Sequence, residues 1–217
     1  HKSFDDVAGI VIEGEIMKNK GVPAEPDYYM RIGDTAFIFE YKDNTINDDV
    51  KFSGDYNTVK EGLLSRVCLD DGRNRKGAGQ LLNTINEIVN NHSLDALDSE
   101  VGSIKTFYPI IITTDRTFSS LGMQYHLVER FSEIIKGYKI HTSIKTPMIL
   151  DLDTLILMSN KIRDSKIDFR QLIEQYLNDS KITPFETFYI DSYKDSRVMN
   201  EDDTSLLFGE MFEAIKE

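Results

Sequence analysis

The feature that most constrains the fold is a pair of extended segments, residues 25–32 and 36–42, joined by Gly33-Asp34. Aromatic and β-branched residues on both sides of a glycine-containing pair are typical of a β-hairpin. The apolar run at residues 37–39 predicts a central, buried second strand, where an unpaired charge would be costly. Side chains alternate between the two faces of a strand. We therefore expect Ala36, Ile38, Glu40 and Lys42 on one face, and Phe37, Phe39 and Tyr41 on the other.

Three charged residues are predicted to meet at one end of this hairpin. Pro26-Asp27 begins the first strand, and Glu40 and Lys42 end the second strand on a common face. Two carboxylates form a hard-oxygen site suited to a small divalent ion that keeps several waters. A lysine beside them can orient a water molecule or contact a phosphate. The structural alternative is a turn and a solvated strand edge, where Pro-Asp and Glu-x-Lys are both common.

The order Pro26-Asp27, then Glu40-Tyr41-Lys42, resembles the PD-(D/E)xK nuclease superfamily. The resemblance implies that Asp27 and Glu40 bind Mg²⁺, with Mn²⁺ able to substitute, and that Lys42 serves the attacking water. The backbone carbonyl of Tyr41 is a further candidate ligand. The resemblance also implies a restriction-endonuclease-like core over about residues 4–115, and a nucleic-acid substrate, DNA rather than RNA, in restriction, repair or defence.

The superfamily usually places one more acid on a helix that precedes the Pro-Asp strand. Residues 4–18 fit a helix with an apolar stripe that Glu15 closes, and they equally fit a strand that leads into Glu13 and Glu15. Glu15 is the candidate outer acid and Glu13 the alternative. In a strand, the family's helical acid would lie upstream of this sequence. A solvated glutamate is the structural alternative.

A basic segment, residues 70–80, runs into an amphipathic helix and supplies the last candidate. The helix has its apolar stripe at Leu81, Leu82, Ile85, Ile88 and Val89 and ends at Asn90-Asn91. The superfamily often brings a glutamine from this helix to the active site, and Gln80 is the match, with an orienting role. The Gln-x-x-x-Tyr pattern of some branches is absent, because residue 84 is Thr. Arg73, Arg75 and Lys76 are expected in a flexible loop that steers phosphate.

The remaining pattern predicts an α/β (α+β) protein with a mixed central β-sheet flanked by helices. The expected units are a nuclease core at residues 1–150 and a mainly helical C-terminal extension at residues 151–217. Strands are expected at 105–113, with Pro109 at the beginning or at a bulge, and at 147–150 and 187–193. A helix is expected from about Ser119, with Leu121 and Tyr125 facing the core. Asp153 and Asp168 are expected to cap two further helices, and a last helix is expected from Asp203 or Thr204.

Composition limits the function classes. The single Cys68 excludes an internal disulfide and a cysteine-clustered zinc site, and suits a reducing cytoplasm. The four histidines lack zinc-protease spacing, and neither a Walker A nor a GxSxG sequence occurs. No apolar run approaches the roughly 20 residues that span a bilayer, so no membrane partner is expected.

A net charge of −12 opposes phosphate binding and favours a different class of function, a catalytically inactive nuclease-fold domain that acts as a protein-interaction module. The complete set of Asp27, Glu40 and Lys42 argues against that alternative. Because nucleases that cut both strands are often dimers, a homodimer is a further expectation. The chain begins at His1, so an upstream domain or a partner protein is also an alternative.

Overall fold

The computed structural model describes residues 4, 8–43, 45–179 and 182–193. The strands in these ranges are β1 (Ile10–Glu13), β2 (Tyr28–Ile32), β3 (Thr35–Lys42), β4 (Cys68–Asp70), β5 (Arg75–Gly77), β6 (Thr106–Thr113), β7 (Ser143–Ile144) and β8 (Met148–Asp151). The α-helices are α1 (Gly14–Asn19), α2 (Asp48–Lys51), α3 (Tyr56–Val67), α4 (Ala78–Asn91), α5 (Met123–Ile134), α6 (Leu152–Arg163), α7 (Phe169–Asp179) and α8 (Phe185–Ser192).

A mixed sheet of six strands forms the centre of the fold. Its order is β1-β2-β3-β6-β7, and β8 also pairs with β6. The pairs β1–β2 and β2–β3 are antiparallel, whereas β6 runs parallel to β3, β7 and β8. Strands β4 and β5 form a separate antiparallel pair. Helices flank the main sheet, so the predicted fold class is confirmed.

The predicted hairpin is present as β2 and β3. Residue Ile32 pairs with Thr35 across the turn, and Gly33 takes a φ of +58°, which glycine adopts without steric cost. The predicted division of faces is also confirmed. Ala36 and Ile38 belong to one core cluster, while Phe37 and Phe39 belong to a second cluster on the other face.

Helices from different parts of the chain cover the two faces. The first cluster includes Leu64 of α3, Leu81 of α4 and Leu127 of α5. The second includes Ile162 of α6, Phe169 of α7 and Tyr189 of α8. Helices that follow residue 151 therefore pack directly on strands that precede it. The division at residue 150 into a core and an extension stays a prediction.

Pro109 lies inside β6, not at its beginning, and the register with β3 continues through it. The other edge of β6 explains why proline is tolerated. On that edge β7 pairs with β6 at Thr106 and Phe107, and β8 pairs from Ile110 onward. The carbonyl of Phe107 accepts a hydrogen bond from Lys145 on this edge, so the missing N–H of Pro109 falls in the gap between the two partners.

The helix after β6 begins later than predicted. Gly122 has a φ of +82°, and α5 starts at Met123 rather than near Ser119, where a short 3₁₀ turn lies instead. The later start rotates the buried face, which carries Met123, Gln124, Leu127 and Phe131. Leu121 and Tyr125, both expected in the core, are 75% and 42% exposed.

The two helix caps predicted from the sequence have different outcomes. Asp151, not Asp153, caps α6, since its Oδ1 accepts the N–H of Thr154 at 2.8 Å. Asp168 caps α7 as predicted and accepts from Gln171 at 3.0 Å.

The expected strand at 187–193 is wrong, because α8 buries Phe185 and Tyr189, four residues apart, against the second cluster. The helix expected from Asp203 or Thr204 lies outside the described residues. Within the described ranges, no helix has the length and apolar character needed to cross a membrane.

Candidate functional site

Three of the predicted site residues meet where β3 ends beneath α4. Glu40 and Lys42 follow Ala36 and Ile38 on the face of β3 that α4 covers, and Gln80 lies in the first turn of α4. Lys42 Nζ donates to Glu40 Oε1 at 2.6 Å and to Gln80 Oε1 at 3.3 Å. The lysine therefore links the two elements through one ammonium group.

Asp27, the residue immediately before β2, lies beside the same end of β3. Its Oδ2 accepts a hydrogen bond of 2.6 Å from the backbone N–H of Tyr41, the residue between Glu40 and Lys42. Because the N–H and C=O of a strand residue point to the same edge, the Tyr41 carbonyl also faces the Asp27 edge of β3. The negative charge of Asp27 is one of the causes that raise the pKa of Glu40. The two carboxylates are therefore electrostatic neighbours.

The burial of Glu40 makes its ionised carboxylate energetically unfavourable. It is 4% exposed, and burial raises its pKa above the ordinary value, with the charge of Asp27 adding to the shift. The hydrogen bond from Lys42 and the charge of its ammonium group lower the pKa but do not cancel the effect of burial. Its Oε2 atom is buried and has no hydrogen-bond partner in the part of the chain that the structure describes. A buried acceptor without a partner costs free energy, so this atom calls for a donor or a cation.

Thr113 is a site residue that the sequence did not single out. It is the register partner of Lys42 on the parallel strand β6, so both side chains lie on one face of the sheet. Thr113 is fully buried, and its hydroxyl has no hydrogen-bond partner among the described residues. Only its position at the end of a predicted strand could have indicated it.

Glu13 and Glu15 lie where β1 passes into α1, so the segment that the sequence left open is a strand followed by a helix. Glu13 ends β1 opposite Tyr28, and Glu15 is exposed in the first turn of α1. Both line the same cavity as Asp27. No hydrogen bond or ion pair joins Glu15 to Asp27, Glu40 or Lys42 within the described ranges. The structure thus brings Glu15 near the cluster without connecting it.

Gly14, between these two glutamates, allows the close approach of α1 to Asp27. Its N–H donates to the carbonyl of Asp27 at 2.7 Å. A Cβ atom on Gly14 would lie 2.5 Å from the carbonyl oxygen of Pro26, which is closer than real Cβ contacts. The glycine is therefore required at this junction, which the sequence did not indicate because it left helix and strand open over this segment.

The basic segment before α4 is a hairpin and not the flexible loop that was expected. Strands β4 and β5 pair from Cys68 to Gly77, and the Asp71 side chain accepts the N–H groups of Arg73 and Asn74 in the turn. Gly79 allows the start of α4 to pack closely against β4, since a Cβ atom at this position would lie 2.0 Å from Leu69 O. This packing fixes the position of Gln80.

Of the three basic residues in this segment, Arg75 pairs with Asp70 at 3.3 Å and also contacts Tyr138. Arg73 and Lys76 are exposed.

A cavity of about 1010 Å³ opens at the site and includes Asp27 and Gln80 in its lining. Its acidic side carries Glu13, Glu15 and Glu25, with Lys18 among them. Its apolar side is formed by Phe39, Ile112, Leu152 and Leu155.

The donor set decides which metal the residues fit. No cluster of three or more His, Cys, Asp or Glu side chains suited to a metal occurs in the described part of the chain, which excludes an all-protein zinc cage there. Asp27 and Glu40 instead offer two carboxylates beside the Tyr41 backbone. Mg²⁺ prefers such sites, with one or two carboxylates and several waters, and the unpartnered Glu40 oxygen fits that requirement.

Comparisons with known proteins identify no relative. No family model matches the chain, and neither a curated protein nor a solved structure matches it.

Proposed function

We propose that the protein is a metal-dependent nuclease of the PD-(D/E)xK type that hydrolyses phosphodiester bonds, with DNA as the preferred substrate over RNA. The observation that supports this most strongly is the environment of the Glu40 carboxylate. A buried carboxylate with one oxygen bound to Lys42 and the other without a partner is costly for stability. Residues whose burial lowers the stability of the fold in this way are typical of catalytic and binding sites.

Asp27 and Glu40 would hold Mg²⁺, or Mn²⁺ in its place, with the Tyr41 carbonyl as an additional ligand. When bound, such an ion lowers the pKa of a coordinated water and neutralises charge on a phosphate. The hydrogen bond from the Tyr41 N–H fixes the Asp27 carboxylate beside the strand segment that carries Glu40, which supports a shared role for the two acids.

Lys42 would position the attacking water and contact the phosphate. Its hydrogen bonds to Glu40 and Gln80 use two of the three ammonium protons, and the third remains for a water or a phosphate oxygen. Gln80 holds the ammonium group from the opposite side and keeps its own N–H₂ group as a donor. In this scheme Gln80 is a positioning residue and Glu15 an outer acid at the cavity entrance.

The net charge of −12 must be offset locally for DNA to bind. Asp27 and Glu40 would hold a divalent ion, whose charge would offset their own at the site. Arg73 and Lys76, exposed on the β4–β5 hairpin that leads into Gln80, would supply the positive charge for phosphate contacts.

The test is a calorimetric titration with Mn²⁺ of the parent protein and of an Asp27→Ala/Glu40→Ala double variant. Asp153→Asn, which removes an exposed carboxylate of α6, is the matched control. We expect binding by the parent and the control but not by the double variant, together with Mn²⁺-dependent cleavage of DNA by the first two. Absence of both binding and cleavage in the parent would reject the proposal and favour a nuclease-fold domain that binds a protein partner through its acidic surface.

A further inference from the structure

The face of the sheet opposite Glu40 carries exposed aromatic rings beside the cluster of Asp27, Glu40, Lys42 and Gln80. Tyr28 is the register partner of Phe39, and Tyr41 follows Phe39 by two residues, so the three rings lie on one face. Tyr28 is 41% exposed and Tyr41 is 40% exposed. Neither hydroxyl has a hydrogen-bond partner among the residues described. Two large rings are thus available at the cavity without a structural partner for their polar ends.

Behind these rings the cavity is apolar. Ile112 is the register partner of Tyr41 on β6, and Leu152 and Leu155 of α6 close the other side. The two leucines are half-buried, and Phe39 beneath them is 6% exposed. A flat, apolar group can enter here and lie against a tyrosine ring.

The charges around the cavity indicate which part of a substrate enters. Glu13, Glu15 and Glu25 line it, and Lys18 is the basic residue in the lining. These carboxylates repel a phosphate but accept hydrogen bonds from the exocyclic amines of a base. The uncharged part of a nucleotide therefore fits this wall, while its phosphate stays on the side of Lys42, the phosphate contact of the proposed mechanism.

We propose that this cavity binds an unpaired nucleobase, stacked on Tyr41 or Tyr28, so that the substrate is single-stranded DNA or a nucleotide turned out of a duplex. The inference rests on the proposed nuclease function and specifies its substrate. Tyr41 joins the two parts of the site, because its N–H orients Asp27 while its ring lies on the apolar face. A paired base hides both faces in the stack, so a regular duplex cannot use these rings.

The test measures binding of a fluorescein-labelled single-stranded oligodeoxycytidylate, whose bases carry an exocyclic amine, and of a duplex of the same length, by fluorescence anisotropy in Ca²⁺. The variants are Tyr41→Ala and Tyr28→Ala, each with the matched Tyr→Phe change, which keeps the ring. Phe52→Ala is the control, because Phe52 is 76% exposed and lies outside the cavity lining. Circular dichroism checks the fold of each variant, and the two tyrosines lie on different strands, so one variant can report if the other does not fold.

We expect the parent to bind the single strand more tightly than the duplex, and the alanine variant of the tyrosine that stacks on the base, Tyr41 or Tyr28, to lose about fivefold or more in single-strand affinity. The phenylalanine variants and Phe52→Ala should bind as the parent does. Because stacking involves no phosphate charge, the ratio of parent to variant affinity should be the same at low and high salt.

Equal losses on single strand and duplex, or no loss from either alanine variant, would overturn the inference. If the parent then still cleaves DNA with Mn²⁺, only the base-binding site is rejected. If the parent neither binds nor cleaves any nucleic acid, the nuclease function is rejected with it.

Discussion

Lys42 Nζ lies 2.6 Å from Glu40 Oε1, and both side chains project from the same face of β3 at its carboxyl end. The pair is largely removed from water, since the Lys42 side chain is 14% exposed and that of Glu40 5%. A buried ion pair contributes little net stability, but removal of one partner leaves a buried charge. A substitution in this pair is therefore expected to change both the stability of the fold and the activity proposed for this site.

The first prediction concerns Lys42→Ala. We expect this variant to lose DNA cleavage while it still folds, with a free energy of unfolding about 3 kcal/mol lower at pH 8, because Glu40 stays buried without its cation. Denaturant unfolding measures the loss. The double variant Glu40→Gln/Lys42→Ala should recover much of it, since no charge then remains unpaired. Undiminished cleavage by Lys42→Ala would remove the lysine from the mechanism.

The second prediction concerns the pH dependence of stability. The folded-state pKa of Glu40 is raised, so its protonated form favours folding below about pH 4.5, and this contribution is lost as the pH rises through the raised value. Glu40→Gln carries no ionisable group here. We expect Tm to fall less between pH 4.5 and pH 8 in the variant than in the parent, as measured by calorimetric scans. A larger fall in the variant would mean that Lys42 more than offsets burial.

The third prediction links metal binding to protons. A metal binds the ionised carboxylate, so at a pH near or below the raised pKa of Glu40, Mn²⁺ binding should release a proton from this group. Titrations in two buffers of different ionisation enthalpy measure the number released. We expect release to fall, and affinity to rise, as the pH increases through the raised pKa of Glu40. Proton release that is unchanged in Glu40→Gln would place the titrating group elsewhere.

The sequence was informative where the structure depends on local pattern. The alternation of Ala36 to Lys42 placed Glu40 and Lys42 on one face, because the strand period of two depends on the backbone alone. Asp27 followed from the short turn that returns the chain beside β3. Gln80 came from a resemblance, since its contact with Lys42 spans 38 positions in the chain.

What the sequence did not show depends on packing between distant segments. The β4–β5 hairpin was expected to be a loop, because its three-residue strands are too short and too charged for a strand pattern. Thr113 became a site residue only through its register with Lys42. The start of α5 depended on Gly122, whose positive φ delays the helix and turns Leu121 to solvent.

The last prediction concerns Gly14, which brings α1 against the chain at Asp27. In Gly14→Ala the new Cβ would lie 2.5 Å from the Pro26 carbonyl and 3.0 Å from that of Asp27, both backbone atoms that cannot rotate away. The segment must shift, and Asp27 must move with it relative to Tyr41. We expect Mn²⁺ affinity and DNA cleavage to fall by at least about tenfold, a change of 1.4 kcal/mol in binding free energy.

Gly102→Ala is the matched control, because a Cβ at Gly102 meets no atom within 4 Å. That variant should bind Mn²⁺ and cleave DNA as the parent does. Equal activity in Gly14→Ala would show that the position of Asp27 tolerates this shift, and that the junction of β1 and α1 does not set the geometry of the carboxylate pair. A loss of Mn²⁺ affinity and cleavage in Gly14→Ala but not in Gly102→Ala would instead show that Gly14, although it has no side chain, helps to position Asp27.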